Sequence, residues 1–390
     1  MKTPIAWRNL THNKRKLAVA IAGVAFAVVL MFQQTGFENA LFDSTVEVVK
    51  QTRCDLLLLN PARFSLSSEL RFNRNHLQLA AGVEGIKSAH PLFIDNTVAL
   101  FHAEEPTNPP KPRPIRVLGV DPKKALFHSV EITAQMPKLE EPDTALIDRL
   151  SKPEFGFSFQ DRQLVGNTQG SLLGHPLEMV GTFKMGRDFA HEGNLIVSQK
   201  NFSKYFQYRG ADPLAVVDLG LIQLDDPGES DLVLRRLGDL MPEGVTVVTK
   251  EDFIQREVGF WSASTPIGII FKIGTVMGFL VGTIICYQIL ATDISDHLSE
   301  LATLKAMGYG TAYFRRLVIT ESLILSGLGF VPGLLLSLVV FEINAQATGL
   351  IMAMTVPRAM FILLLTILMC LISGWFAMKK LISADPASLF

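Results

Sequence analysis

Four stretches of this chain carry no charged side chain: 17–37, 273–292, 322–341 and 359–378. Each runs for about 20 residues, which at 1.5 Å rise per residue crosses a hydrocarbon core of roughly 30 Å. Leu, Ile, Val, Phe, Ala and Gly fill them, and they predict four membrane-spanning helices. A fifth uncharged run, 163–177, holds Asn167, Thr168, Gln169, three glycines and Pro176, and reads as a loop. The resulting division is an entry helix over 1–16, spans at 17–37, 266–292, 317–341 and 359–378, and a large segment over 38–265. Short connections at 293–316 and 342–358 and a tail at 379–390 complete it.

Lys and Arg in the short flanks set the expected orientation. Lys2, Arg8, Lys14, Arg15 and Lys16 precede the first span without an acid among them. Lys305, Arg315 and Arg316 lie between spans two and three, and Lys379 and Lys380 follow span four; the 342–358 connection has only Glu342 and Arg358. Both termini and the 293–316 loop are therefore expected in the cytoplasm of a plasma (inner) membrane protein, with 38–265 outside. Gln33-Gln34-Thr35-Gly36-Phe37 offers no small-x-small cleavage site, so the first span is expected to remain.

The long outer segment has room for one or two packed domains. β-type runs recur at Asp55–Leu59, Thr97–Phe101, Ile115–Val120, Leu177–Phe183, Leu195–Ser198, Val216–Leu224 and Val245–Thr249. Between them Ser230–Leu240 has helical spacing, with Leu232, Leu234, Leu237 and Leu240 near one face. The mixture predicts an α+β extracytoplasmic domain on a four-helix membrane base. The patch Pro106–Pro114 predicts an exposed loop.

Composition agrees with lipid contact: charged residues make up 19% of the chain and mean hydropathy is +0.30, against about a quarter charged in ordinary soluble domains. Net charge of −1 gives no basic excess for nucleic acid. Cys54, Cys286 and Cys370 are too scattered for a metal or disulfide framework. Asp188, His191 and Glu192 lie close together between Gly186 and Gly193, where the glycines suggest a polar surface turn rather than a metal site. Neither a Gly-x-Ser-x-Gly elbow nor His-Glu-x-x-His occurs. The nearest phosphate-loop match, Gly181–Asp188, has Arg187 and Asp188 where Lys and a hydroxyl are needed. No catalytic, metal or cofactor residues are therefore assigned, and energy for any transport must come from a partner.

The 293–316 loop is patterned to receive one. Ile294, Leu298, Leu301, Leu304 and Met307 recur every three or four residues, with Asp296, Glu300 and Thr303 mostly on other faces. Gly308 and Gly310 stop this helix and Thr311 is placed to cap the next. Gly274, Gly278 and Gly282 share one face of span two and predict a packing seam, within the subunit or across a homodimer. Gly329, Pro332 and Gly333 predict a kink or second close contact in span three. Glu321 is an acid just inside that span, a position that is costly and often functional.

Ser299-Glu-Leu-Ala-Thr-Leu-Lys305-Ala-Met-Gly308 resembles the signature of FtsX/MacB-type permeases, a Glu-apolar pair before a Leu-basic-Ala-apolar-Gly run. Ala6–Arg15 is similar to that family's entry helix, which Thr3 and Pro4 would open, and Ala384-Asp385-Pro386-Ala387 to its C-terminus. One span, a long outer domain and three further spans is also the family layout (type VII ABC transporters). Val117–Pro122, Gly193–Ser198 and Asn201-Phe202 look most like the cyanobacterial DevC branch; Ser299 departs from it where relatives carry a basic residue. The resemblance implies an ABC exporter permease, not itself an enzyme. It implies a homodimer in membrane lipid, with two copies of a separate ABC ATPase on Leu298, Glu300, Leu301, Leu304, Lys305, Met307 and Gly308. A membrane-fusion adaptor and a TolC-like outer-membrane duct would act outside, expelling glycolipid or another lipid. It also places a Glu at position 321. A non-transporting transducer that regulates a cell-wall hydrolase is the alternative.

Overall fold

A computed structural model describes residues 5–105, 110–188, 190–264, 266–298, 300, 303–304 and 307–383. The chain divides into two compact units: a helical unit (1–39, 266–347 and 352–390) and a sheet unit (40–265 with 348–351).

Four helices are long and apolar enough to cross a membrane: Lys14–Gln51, Pro266–Asp296, Thr311–Thr348 and Val356–Ser383. Each contains one of the four charge-free windows. The first and third are 38 residues long, about 57 Å, nearly twice a hydrocarbon core. The first begins where the short entry helix Ile5–His12 ends, at Asn13, whose side chain accepts a hydrogen bond from the Lys16 backbone N–H at 3.2 Å. An Asn here caps the new helix. Thr3, Pro4 and the 384–387 motif lie outside the described residues.

The first long helix is the centre of the helical unit. Val24, Ala27, Val28, Met31 and Phe32 are fully buried, while Ile269, Ile273, Ile284, Leu335, Leu364 and Phe376 on the others point outward. Apolar side chains on the outside of a helix bundle are those of a protein in lipid.

The sheet unit is α+β, built on one mixed 11-stranded sheet. Across it run Thr246–Thr249, Leu56–Leu59, Leu219–Leu224, Ile86–Asp95, Arg116–Val120, Asn194–Ser198, Thr144–Asp148, His175–Phe183, Gln169–Leu172, Leu100–Ala103 and Arg113–Pro114. Only the pairs 116–120 with 194–198 and 144–148 with 175–183 are parallel. Both faces are covered. Leu56 and Leu58 enter a core with Leu77, Phe202 and Val233; Leu57 and Leu59 enter another with Val49, Ile132 and Phe253. Strands buried on both sides read as continuous apolar runs, which is why four successive leucines form a strand here.

Several expectations change. The 163–177 run is not a plain loop: Gln163–Val165 pairs with Ser158–Gln160, and Gln169–Leu172 with His175–Phe183. Two-residue turns join them, Asp161-Arg162 (φ 47° and 67°) and Leu173-Gly174 (φ 54° and 80°), all in the left-handed region that suits the twist of hairpin strands. The Ser230–Leu240 helix forms, but it buries Val233 and Leu237, leaving Leu232 and Leu240 about half exposed. The i,i+4 pair Val233/Leu237 meets the sheet, so the inward face is turned from the expected one. Within the proline patch, Arg113–Pro114 is an edge strand; 106–109 lie outside the described residues.

Candidate functional site: the 293–316 loop, helix seams and a buried polar hub

Thr303 and Leu304 are helical, Thr303 accepting from the Met307 backbone N–H (3.0 Å) and Leu304 from that of Tyr309 (3.2 Å). Gly308 sits between them at φ +94°, completing a Schellman stop that a side chain would strain. The third long helix then starts at Thr311 itself, one residue earlier than a Thr311 cap requires, and the Gly310 carbonyl takes the Tyr313 N–H. Leu298 and Leu304 are partly buried, Leu304 against the helical core, while Glu300, Thr303 and Met307 are exposed. The apolar stripe is thus divided: Leu304 anchors the loop and Met307, 64% exposed, faces out. Ser299, Leu301 and Lys305 lie outside the described residues.

The start of the first long helix joins this loop. Lys16 pairs with Asp296, and the His12 and His297 rings meet edge to face at 6.2 Å. Between these elements lies a cleft of about 890 Å³ whose rim includes Arg15, Asp293 and Glu300. His12, Lys16, Asp296 and His297 carry no motif; only folding places residues so far apart in sequence side by side.

The glycines mark close helix contacts within the subunit. A Cβ on Gly274 would strike Gln34, one on Gly278 would lie 3.2 Å from Met31, and one on Gly282 would lie 2.6 Å from Ala27 and overlap Met369. On the third long helix, Gly329 lies against Val24 and Gly333 against Val28. The first long helix is therefore gripped from two sides through glycine notches. Pro332 lies inside the third helix between those notches. Glu321 is 2% exposed, one turn before Leu325 in the core.

In the sheet unit, the Asp188/His191/Glu192 segment is not a solvent-facing turn. Asp188 and His191 side chains are buried against Arg116, itself 2% exposed. Arg116 opens a strand in register with Asn194 and reaches four partners. Its Nη2 donates to Asp188 and to His191 Nδ1 (2.7 Å), Nε to Asn96 (3.1 Å) and Nη1 to Asn194 (3.3 Å). Asp188 also accepts the backbone N–H groups of Ala190 (2.8 Å) and His191 (2.7 Å). Burial alone would raise the Asp188 carboxyl, but Arg116 and His191 outweigh it and hold it well below its ordinary value. Burial, then the Arg116 charge, depress His191 below its ordinary value. Hydrogen bonds from Arg113 above all, then Lys152, hold Glu192 down to about 2. Asp148, fully buried, takes backbone N–H groups of Leu150, Met185 and Gly186 and the Asn194 amide, yet burial still raises its carboxyl. Asp188 and His191 are in direct contact, Nδ1 to Oδ1 at 3.0 Å, with Arg116 on both, and no metal-holding group of three is found among the described residues. Partners at 116, 148, 188 and 194 have no sequence spacing by which to be recognised.

The chain is similar to the ABC transporter permease YtrF of Bacillus subtilis (strain 168), at 24% identity over 191 residues. That match covers 46% of this chain and 40% of the relative, so the chain spans about two fifths of the relative's length. Among solved structures, the periplasmic region of MacB from Actinobacillus actinomycetemcomitans is 10% identical, with a TM-score of 0.36 over 53% of this chain and 92% of that one. The extracellular domain of the noncanonic ABC-type transporter YknZ from Gram-positive bacteria is 13% identical, with a TM-score of 0.33 over 50% and 98%. Residues 272–386, which hold three glycine notches of the second long helix, the loop around Gly308 and the last two long helices, match the family model of the FtsX-like permease C-terminal region.

Proposed function

We propose that this chain is the permease subunit of an ABC exporter, working as a pair with two copies of a separate ATPase. Both ends and the 293–316 loop face the cytoplasm, as the Lys and Arg distribution supports, and the sheet unit faces outward. The carrying observation is the loop itself: a helix closed by a left-handed glycine at Gly308, tied to the entry region through Lys16–Asp296, and inside the FtsX-like match. Glu300, Thr303 and Met307 form its outward contacts, Leu298 and Leu304 its anchor, with Leu301 and Lys305 completing the signature. Motion of the ATPases passes through this loop into the second and third long helices. Outside, the sheet unit works with an adaptor and a TolC-like duct in the manner of the DevC branch, and the cargo is glycolipid or another lipid.

The test is ATPase stimulation in the assembled complex. Replacing Met307 with Asp, or Leu304 with Asp, is expected to cut stimulation by roughly tenfold or more, as loss of one interface hot spot does. Stimulation and export at unchanged levels in both variants would rule the coupling role out.

A further inference from the structure

Among the described residues no carboxylate lies within ion-pair distance of Arg187, and its buried Nε makes no hydrogen bond. The acids nearest in effect are already engaged or distant: Asp148 with four donors, Glu192 with Arg113 and Lys152, and Glu154 exposed. The guanidinium lies against Gly349, at φ +69°, where a side chain would overlap it. It lines a cleft of about 350 Å³ with Lys152 and the apolar Leu41, Pro114 and Leu350; Asp188, His191 and Glu192 complete its polar wall. Asp188 is neutralised by Arg116, so the charge left over is positive.

Every residue of this cleft belongs to the sheet unit, yet Leu41 and Thr348 stand just past the points where the chain leaves the helical unit. A guanidinium fork recognises planar or tetrahedral oxyanions in two-point fashion. The volume lies at the small end of ligand pockets, enough for a headgroup and too little for two acyl chains.

We propose that this cleft binds the phosphate headgroup of an anionic phospholipid from the leaflet next to the sheet unit, with Arg187 as its principal contact and Lys152 as its second. From the proposed function this uses only the membrane crossing of the helices and the outward sheet unit.

The full chain is purified in neutral detergent and mixed with phosphatidylcholine micelles containing phosphatidylglycerol as the minor component. Lipid retained after gel filtration is then identified by mass spectrometry. The wild type is expected to enrich phosphatidylglycerol, and Arg187→Gln to lose about tenfold of that enrichment, the worth of one charge-assisted contact. Gly349→Ala, which keeps the charge but displaces the guanidinium, is expected to do the same, and Arg187→Lys to lose an intermediate amount. Matched unfolding midpoints show that the variants fold. Equal enrichment in the wild type, Arg187→Gln and Gly349→Ala would overturn the proposal. Displacement of the lipid by millimolar inorganic phosphate would overturn it in favour of a free-anion site. ATPase stimulation by the wild type and the Met307 and Leu304 variants in the assembled complex separates the two readings: equal stimulation in all three, with enrichment intact, counts against coupling and leaves this site standing.

Discussion

Arg116 and Asp188 stabilise the sheet unit because each completes the other's hydrogen bonding out of water. Removing one member of such a pair strands the other, at a cost of about 3–5 kcal/mol. Asp188→Asn is therefore expected to destabilise the unit by an amount in that range, measured by denaturant unfolding. Protonation acts on the same cluster. Asp188 and Glu192 titrate below their ordinary values of 3.8 and 4.5, so their stabilisation is present above those values and disappears as pH falls through the folded ones. His191 titrates below 6.5, so the unfolded chain takes up that proton first and stability drops as pH falls from about 7. His90 and His128 shift the same way, while the raised Asp148 runs opposite, favouring the fold on acidification. His191→Gln is expected to flatten the fall in thermal midpoint between about pH 7 and 5, and to leave the steeper fall at lower pH in place.

The helices show how much spacing alone can reveal. A ladder of glycines at intervals of four was legible as a seam, and the structure puts Gly274, Gly278 and Gly282 against the first long helix. Gly282→Leu is expected to destabilise the helical unit by about 1–3 kcal/mol through overpacking. Gly327→Ala, with nothing within 4 Å of the new methyl, is expected to be neutral or stabilising by up to about 1 kcal/mol. Thermal unfolding in detergent compares the two. Strands were legible where both faces are buried, as at Leu56–Leu59 and Asn194–Ser198. Ile86–Asp95, the longest, was not, because Lys87, Ser88, His90 and Pro91 interrupt its pattern and its place is set by the strands on either side. The hairpin turns escaped for a related reason: Asp161-Arg162 and Leu173-Gly174 lack the Asn-Gly signal of their conformation. The Arg116 hub and the Arg187 cleft depend on contacts between distant segments, and no local pattern encodes them.

At the scale of the molecule, the central expectation is the crossing of the bilayer. Cysteines introduced near positions 150 and 385 are expected to react with membrane-impermeant reagent from opposite sides; labelling of both from one side would refute the topology. The sheet unit also has a property that follows from its strand order. The strand that the chain enters, Leu56–Leu59, lies directly beside the one it leaves by, Thr246–Thr249. Lys250 fastens the two: its backbone N–H donates to Asp55 at 3.0 Å and its ammonium to the Thr52 carbonyl at 2.7 Å. The roughly 200 residues in between form a closed parcel on a narrow neck, whose growth or shrinkage leaves the spacing of its two stems untouched. Such a parcel can be exchanged for another like a graft, because the two neighbouring strands at its neck keep the same attachment points whatever lies between them.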